Sequence, residues 1–206
     1  LMLNPESWGQ KYFADARGLH LNLGDPQLWP RWLHMMLGAV AVAGLMLAWW
    51  GKARLRGDDP SGAFMVRTGV GTFTWLTLVN LGAGLWFFFA QPGPVRKLFM
   101  GGSIYATALF GAGFALGLIV LVVGLLIRAR GERAPLTPLT MLALVALVDM
   151  VLMRDVVRNG TLDRHFAPAG FMVQPQTLNL VLFAVLLVAG LAVTIWMLRK
   201  LYLAWD

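Results

Sequence analysis

Residues 103–127 read SIYATALFGAGFALGLIVLVVGLLI, a run without a single charged side chain. About 20 apolar residues in a helix cross the ~30 Å hydrocarbon core of a bilayer, so this stretch predicts a transmembrane helix. Four more apolar stretches occur at about residues 32–50, 66–90, 139–153 and 178–198. The stretch 139–153 is short, but the Arg154 that ends it can extend its side chain towards the head groups. The sequence therefore predicts an all-α, polytopic membrane helix bundle with about five transmembrane helices.

Composition supports a membrane protein and excludes a soluble globular domain. Of the 206 residues 58% are hydrophobic and only 13% are charged, and the mean hydropathy is +0.68, which leaves too little polar surface to cover a soluble core. The net charge of +7 comes from Lys and Arg at the ends of the apolar stretches, which indicates a lipid bilayer and not nucleic acid as the partner. There is no Cys, so any redox centre in this chain would take His and Met ligands.

The distribution of basic residues predicts the orientation of the bundle. Nine of the seventeen Lys and Arg fall in the short segments that face the cytoplasm if the N-terminus lies outside: Lys52, Arg54, Arg56, Arg67, Arg128, Arg130, Arg133, Arg199 and Lys200. The positive-inside rule then places the N-terminus outside and the C-terminus inside. Thiol labelling of a Cys introduced at Gly57, from one side of the membrane at a time, would measure this orientation. We divide the chain into an interfacial N-terminal segment, residues 1–29, and a transmembrane bundle, residues 30–206.

His34 is the most informative of the three histidines, which also include His20 and His165. It lies about one turn inside the first apolar stretch, where an ionisable ring is uncommon and indicates a functional site. Two interpretations stay open from the residue alone: His34 ligates a haem iron, or its neutral ring forms a hydrogen bond across a helix interface.

The end of the fourth apolar stretch, residues 148–158, combines thioethers, guanidinium groups and a carboxylate. Met150 and Met153 are candidate haem ligands at the depth of His34, although most Met residues only fill space in a core. Arg154 and Arg158 can bind haem propionates or a quinol head group, or simply extend to the membrane interface. Asp149 can accept a proton from a quinol or serve as a structural partner. His165, in the following loop, is a further candidate ligand, a proton acceptor or an exposed loop residue.

Residues 25–44, DPQLWPRWLHMMLGAVAVAG, resemble one segment of the large subunit (subunit I) of cytochrome bd-type quinol oxidases. In that family an aromatic-rich segment precedes a transmembrane helix whose His is an axial ligand of a low-spin haem b near the outer face, opposite a Met from another helix. The resemblance implies that His34 is the His ligand. It covers about 30 residues, and the family's Gly-Arg-Gln-Pro-Trp motif, its quinol loop and the ligands of its oxygen-reducing haems have no counterpart here. Oxygen reduction by this chain alone is therefore not expected.

We interpret the chain as a haem b-containing subunit of a respiratory electron-transfer complex in a bacterial inner membrane. It would exchange electrons between membrane quinol and a partner at the outer face, such as a multihaem cytochrome c or an iron–sulfur protein. In this interpretation His34 and Met153, or failing that Met150, bind the iron, Arg154 helps to bind the cofactor, and Asp149 and Arg158 act on the quinol. The alternatives are a haem-free anchor or assembly subunit of such a complex, and a small transporter, for which no inverted repeat is visible.

Overall fold

The computed structural model describes residues 7–14, 17, 23–163 and 176–203, which form helices and short connections without a β-strand. In this part of the chain the α-helices, in order, are α1 (Trp8–Ala14), α2 (Leu28–Arg56), α3 (Ser61–Phe89), α4 (Gly93–Lys97), α5 (Ile104–Arg130), α6 (Thr137–Leu162) and α7 (Thr177–Leu203). A π-helical turn, Leu98–Gly102, joins α4 to α5, and a 3₁₀ turn, Gly131–Arg133, follows α5.

The described helices include four, α2, α3, α5 and α7, that are long and apolar enough to cross a membrane. α6 has a comparable length of 26 residues, about 39 Å at 1.5 Å per residue, but Asp149 lies at its midpoint and Arg154, Asp155 and Arg158 lie in its second half. The predicted fold class, an all-α polytopic membrane helix bundle, is confirmed. The crossing of the membrane by α6 and the outside position of the N-terminus stay predictions.

The helices are longer than the apolar stretches that predicted them. α2 continues through Lys52, Arg54 and Arg56, because long basic side chains are good helix formers and interact favourably with the carbonyl end of a helix. The connection to α3 is therefore only four residues, 57–60. It is closed by the Arg54–Asp59 ion pair of 2.6 Å, and hydrogen bonds from Ser61 and then from Arg54 lower the pKa of Asp59.

Packing divides the chain into two compact units, residues 1–166 and residues 167–206. The first unit contains α1 to α6, and α7 is the described helix of the second. The interfacial role of residues 1–29 stays a prediction; α1 is a helix of seven residues within that segment.

Glycines bring the backbones of α2 and α3 into contact. Gly44 and Gly51 of α2 are two turns apart on one face, as are Gly62 and Gly69 of α3. A methyl group at Gly51 would lie 2.6 Å from the carbonyl oxygen of Gly62, and one at Gly62 would lie 2.5 Å from the carbonyl oxygen of Gly51. A methyl group at Gly69 would meet the carbonyl oxygen of Gly44 and, at 2.6 Å, the amide nitrogen of Ala48. Small residues that permit such backbone contact are typical of helix pairs in lipid.

α5 packs against α3 on one side and α6 on the other. Gly113 and Gly117 of α5 form a G-x-x-x-G pair, a spacing typical of helix packing in lipid. A Cβ at Gly117 would meet Leu81 of α3, whereas one at Gly113 would meet Asp149 and Met153 of α6. The G-x-x-x-G pair thus contacts two neighbouring helices, and it contacts their side chains and not their backbones.

The end of this unit that holds Arg128, here called the Arg128 end, contains its main apolar core. Buried side chains of α2, α3, α5, α6 and the segment before α6 meet there: Ala41, Leu45, Ala48, Val66, Val70, Phe73, Val120, Ile127, Ala134, Leu136 and Leu139. Trp49 Nε1 donates a 2.8 Å hydrogen bond to Thr140 Oγ1 and so joins α2 to α6. The Lys52 ammonium group donates to the carbonyl of Glu132 and joins α2 to the turn after α5.

The contact between α2 and α3 predicts that the replacement of glycine by alanine has different effects on stability at two positions of α3. Gly69→Ala should lower the free energy of unfolding by about 1–3 kcal/mol, since its methyl group overlaps the backbone of α2. Gly82→Ala, in the same helix, meets no atom within 4 Å and should be neutral or slightly stabilising. Thermal unfolding of the purified protein in detergent measures both, and equal melting temperatures for the two variants would contradict the backbone contact.

Candidate functional site

His34 lies in the second turn of α2 and rests against α3. Its Nδ1 lies 3.3 Å from the backbone carbonyl oxygen of Asn80. A carbonyl oxygen can only accept, so Nδ1 carries the proton in this hydrogen bond and, in the neutral ring, the lone pair is on Nε2. Histidines that bind metals are commonly held in this way, with the other ring nitrogen donating to a carbonyl or a carboxylate.

A glycine on α3 provides the space for the imidazole. A methyl group at Gly84 would lie 3.2 Å from Cε1 and 3.3 Å from Nδ1 of His34, closer than ordinary van der Waals contact. Gly38, one turn after His34 on α2, similarly faces Asn80, since a methyl group at Gly38 would lie 3.4 Å from Asn80 Nδ2. The position of the ring is therefore determined by Gly84 and the carbonyl of Asn80.

Asn80 is a polar residue of this site that sequence reasoning missed. Its side-chain oxygen is buried and has no hydrogen-bond partner among the described residues. A buried amide oxygen without a partner costs roughly 1–3 kcal/mol, which makes Asn80 a candidate to bind a donor that is not part of the protein. The signal in the sequence was a lone amide in the apolar run 78–81, LVNL.

α6 presents a second polar site to α5. Asp149 is only 7% exposed, and a methyl group at Gly113 of α5 would meet its Oδ2 and lie 3.0 Å from Met153 Cε. In the described structure Oδ2 of Asp149 has no hydrogen-bond partner. Met153 also packs against an aromatic cluster formed by Phe88, Phe99 and Phe110, in which Phe88 and Phe110 stack with ring centres 4.6 Å apart.

The remaining predicted site residues of α6 lie on a different face of the helix. Met150 is 39% exposed, and Arg154 and Arg158 are exposed. The structure thus brings Asp149 and Met153 together at α5 and separates them from Met150, Arg154 and Arg158. Met150, Arg154 and Arg158 share a face of α6 because they are spaced four residues apart. His165, the other candidate ligand, and His20 lie outside the described residues.

A series of contacts relates the depth of His34 to that of Met153. His34 of α2 faces Asn80 and Gly84 of α3. Leu81, also on α3, faces Gly117 of α5. Gly113, one turn from Gly117 on α5, faces Asp149 and Met153 of α6. His34 and Met153 therefore lie within about one helical turn of each other along the bundle. They pack against different helices: His34 packs against α3 and Met153 packs against α5.

Comparison of the chain with models of protein families, with curated proteins and with solved structures finds no match.

The unpartnered Asp149 predicts an unusual response to removal of its charge. Asp149→Asn keeps the size of the side chain, and it should leave the free energy of unfolding unchanged or raise it by up to about 1 kcal/mol, because no described partner loses an interaction. Asp59→Asn is the matched control: it weakens the acceptor of Arg54 and Ser61 and should lower the melting temperature. A larger loss of stability in Asp149→Asn than in Asp59→Asn would reveal a structural partner of Asp149.

Proposed function

We propose that this chain is the haem b-carrying membrane subunit of a respiratory complex that oxidises or reduces membrane quinol. The observation that carries the proposal is the hydrogen bond from His34 Nδ1 to the carbonyl of Asn80. A carbonyl can only accept, so this bond selects the tautomer of a neutral imidazole that has its lone pair on Nε2, inside a membrane helix. That is the ligand form that a haem iron requires.

One described residue of this chain, His34, has the chemistry of a haem ligand. His34 would bind the iron through Nε2, and the carbonyl of Asn80 would orient the ring and raise its basicity. Haem b, when bound, supplies a one-electron carrier. Met153 remains our proposed second ligand for its depth and its chemistry, with Met150 as the neighbouring alternative. In the described structure Met153 packs against Gly113 of α5.

The polar residues of α6 near the depth of His34 suit quinol chemistry. Oxidation of a quinol releases protons, and Asp149 offers a carboxylate oxygen without a hydrogen-bond partner in the described residues that can hold one. Arg154 and Arg158 are exposed at the same end of α6, where guanidinium groups can bind propionates, a quinol oxygen or an acidic partner surface. A multihaem cytochrome c or an iron–sulfur protein at the outer face of a bacterial inner membrane would complete the electron path.

The resemblance of residues 25–44 to the low-spin haem b segment of cytochrome bd-type quinol oxidases supports the same assignment of His34. The second candidate function is a haem-free anchor or assembly subunit. It is favoured by the packing of His34 on α3 and of Met153 on α5, because both contacts would be complete without a cofactor.

Removal of the imidazole tests the proposal directly. The purified protein should give a reduced-minus-oxidised spectrum of low-spin haem b, and His34→Ala should abolish that spectrum. Gly84→Ala should lower haem content several-fold, because its methyl group displaces the ring, whereas Gly82→Ala has open space and should retain full haem. A protein that folds and binds no haem would favour the anchor, and an unchanged spectrum in His34→Ala would exclude His34 as ligand.

The second ligand needs a separate comparison. Met153→Leu keeps an apolar side chain but removes the sulfur, so the haem should become partly high-spin or shift to a lower reduction potential. Met150→Leu, at a more exposed position, should leave both properties unchanged. Redox titration monitored by absorbance measures the two variants. If neither substitution alters the spectrum or the potential, the second ligand is another residue, and His165 is the next to replace.

A further inference from the structure

We propose that a cleft between α3 and α5 at the Arg128 end binds the phosphate group of an anionic phospholipid. The cleft has a volume of about 330 Å³ and is lined by Phe64, Arg67, Thr68, Gly71, Thr72 and Arg128. It is separate from His34 and Asp149, and the proposal does not depend on haem binding.

The cleft follows from the spacing of its residues along α3. Phe64, Arg67, Thr68, Gly71 and Thr72 recur at intervals of three and four, so they form one continuous face of the helix. Arg128, in the last turn of α5, completes the cleft: its Nη1 lies where a methyl group at Gly71 would be. The absence of a side chain at Gly71 therefore positions this guanidinium beside the face that carries Arg67.

The two guanidinium groups have no acidic partner in the part of the chain that the structure describes. The ion pair described in this region joins Arg54 to Asp59 and uses neither of them. Two cations that line one cleft repel each other, and an anion between them would turn that repulsion into two charge-assisted interactions. Arg binds phosphate oxygens well because its planar group donates two parallel hydrogen bonds.

Two hydroxyl groups add donors for the remaining phosphate oxygens. Further along α3, Thr74 and Thr77 donate to the carbonyls four residues earlier, over 2.8 Å and 2.7 Å. Thr68 and Thr72 make no such bond among the described residues, so their hydroxyls are available to a ligand. A phosphate diester has two oxygens that share one negative charge and only accept hydrogen bonds, which matches a site made of hydrogen-bond donors.

The surroundings favour a lipid over a dissolved phosphate. Arg67 lies six residues after the start of α3, about 9 Å along the helix, and Phe64 beside it is 73% exposed. Val122, Leu125 and Leu126 of α5 are also exposed, and in a membrane helix such apolar side chains face acyl chains. A ligand with one phosphate and long apolar chains would satisfy both the cationic cleft and the surface around it.

Native mass spectrometry of the full chain in detergent tests the site with three probes: phosphatidylglycerol, phosphatidylcholine and inorganic phosphate. Phosphatidylglycerol should bind most tightly. The double variant Arg67→Gln/Arg128→Gln should weaken its binding by about tenfold or more, as expected for the loss of charge-assisted hydrogen bonds. Gly71→Ala, which displaces Arg128 and keeps every charge, should weaken it several-fold. The control Arg130→Gln/Arg133→Gln removes two exposed arginines of the same end that do not line the cleft, and it should retain the wild-type affinity.

Three results would overturn the proposal. Equal losses in the double variant and in the control would mean general attraction to basic residues. Equal binding of both lipids by the wild-type chain would exclude recognition of an anionic head group. Displacement of phosphatidylglycerol by millimolar inorganic phosphate would identify a site for a dissolved anion and not for a lipid.

Discussion

The backbone contact between α2 and α3 is the constraint on which the candidate site depends. Lipid offers no hydrophobic drive for helices to associate, so close packing must hold them together. The glycines at positions 44, 51, 62 and 69 allow this approach over two turns. The same proximity continues towards the His34 end, where it brings an imidazole within hydrogen-bond distance of a main-chain carbonyl. With larger residues along this interface, the imidazole of His34 could not reach that carbonyl.

Most of the fold could be predicted from sequence because hydropathy and helix length are both set by the bilayer. The errors lie at helix ends. The segment between the apolar stretches 32–50 and 66–90 is largely helical, since lysine and arginine extend a helix into the head-group region without any apolar signal. The helix predicted over 139–153 likewise continues to Leu162. Hydropathy reports where the hydrocarbon ends, and the hydrogen-bond ladder of a helix does not stop there.

The candidate site was predictable only in part. The unusual depth of His34 marks it in the sequence, but its partner is a main-chain carbonyl, which no side-chain pattern can indicate. The spacing of α6 residues correctly groups Asp149 with Met153 and Arg154 with Arg158. It does not reveal which group faces the protein, because the residues that precede both groups in α6 are mostly apolar. Only the contact with Gly113 of α5 decides between the two faces.

Four further glycines have a different role from those at which the backbones of α2 and α3 touch. Gly84 faces an imidazole, Gly113 a carboxylate, Gly71 a guanidinium and Gly124 the hydroxyl of Thr74. Each lies on α3 or α5, and each receives a polar side chain from a neighbouring helix. Large apolar side chains at these positions would exclude the polar groups, and glycine leaves the space that they occupy. Where the polar group is already bonded, as in Thr74, the result is packing; where it keeps an unused lone pair, proton or charge, it can bind a ligand.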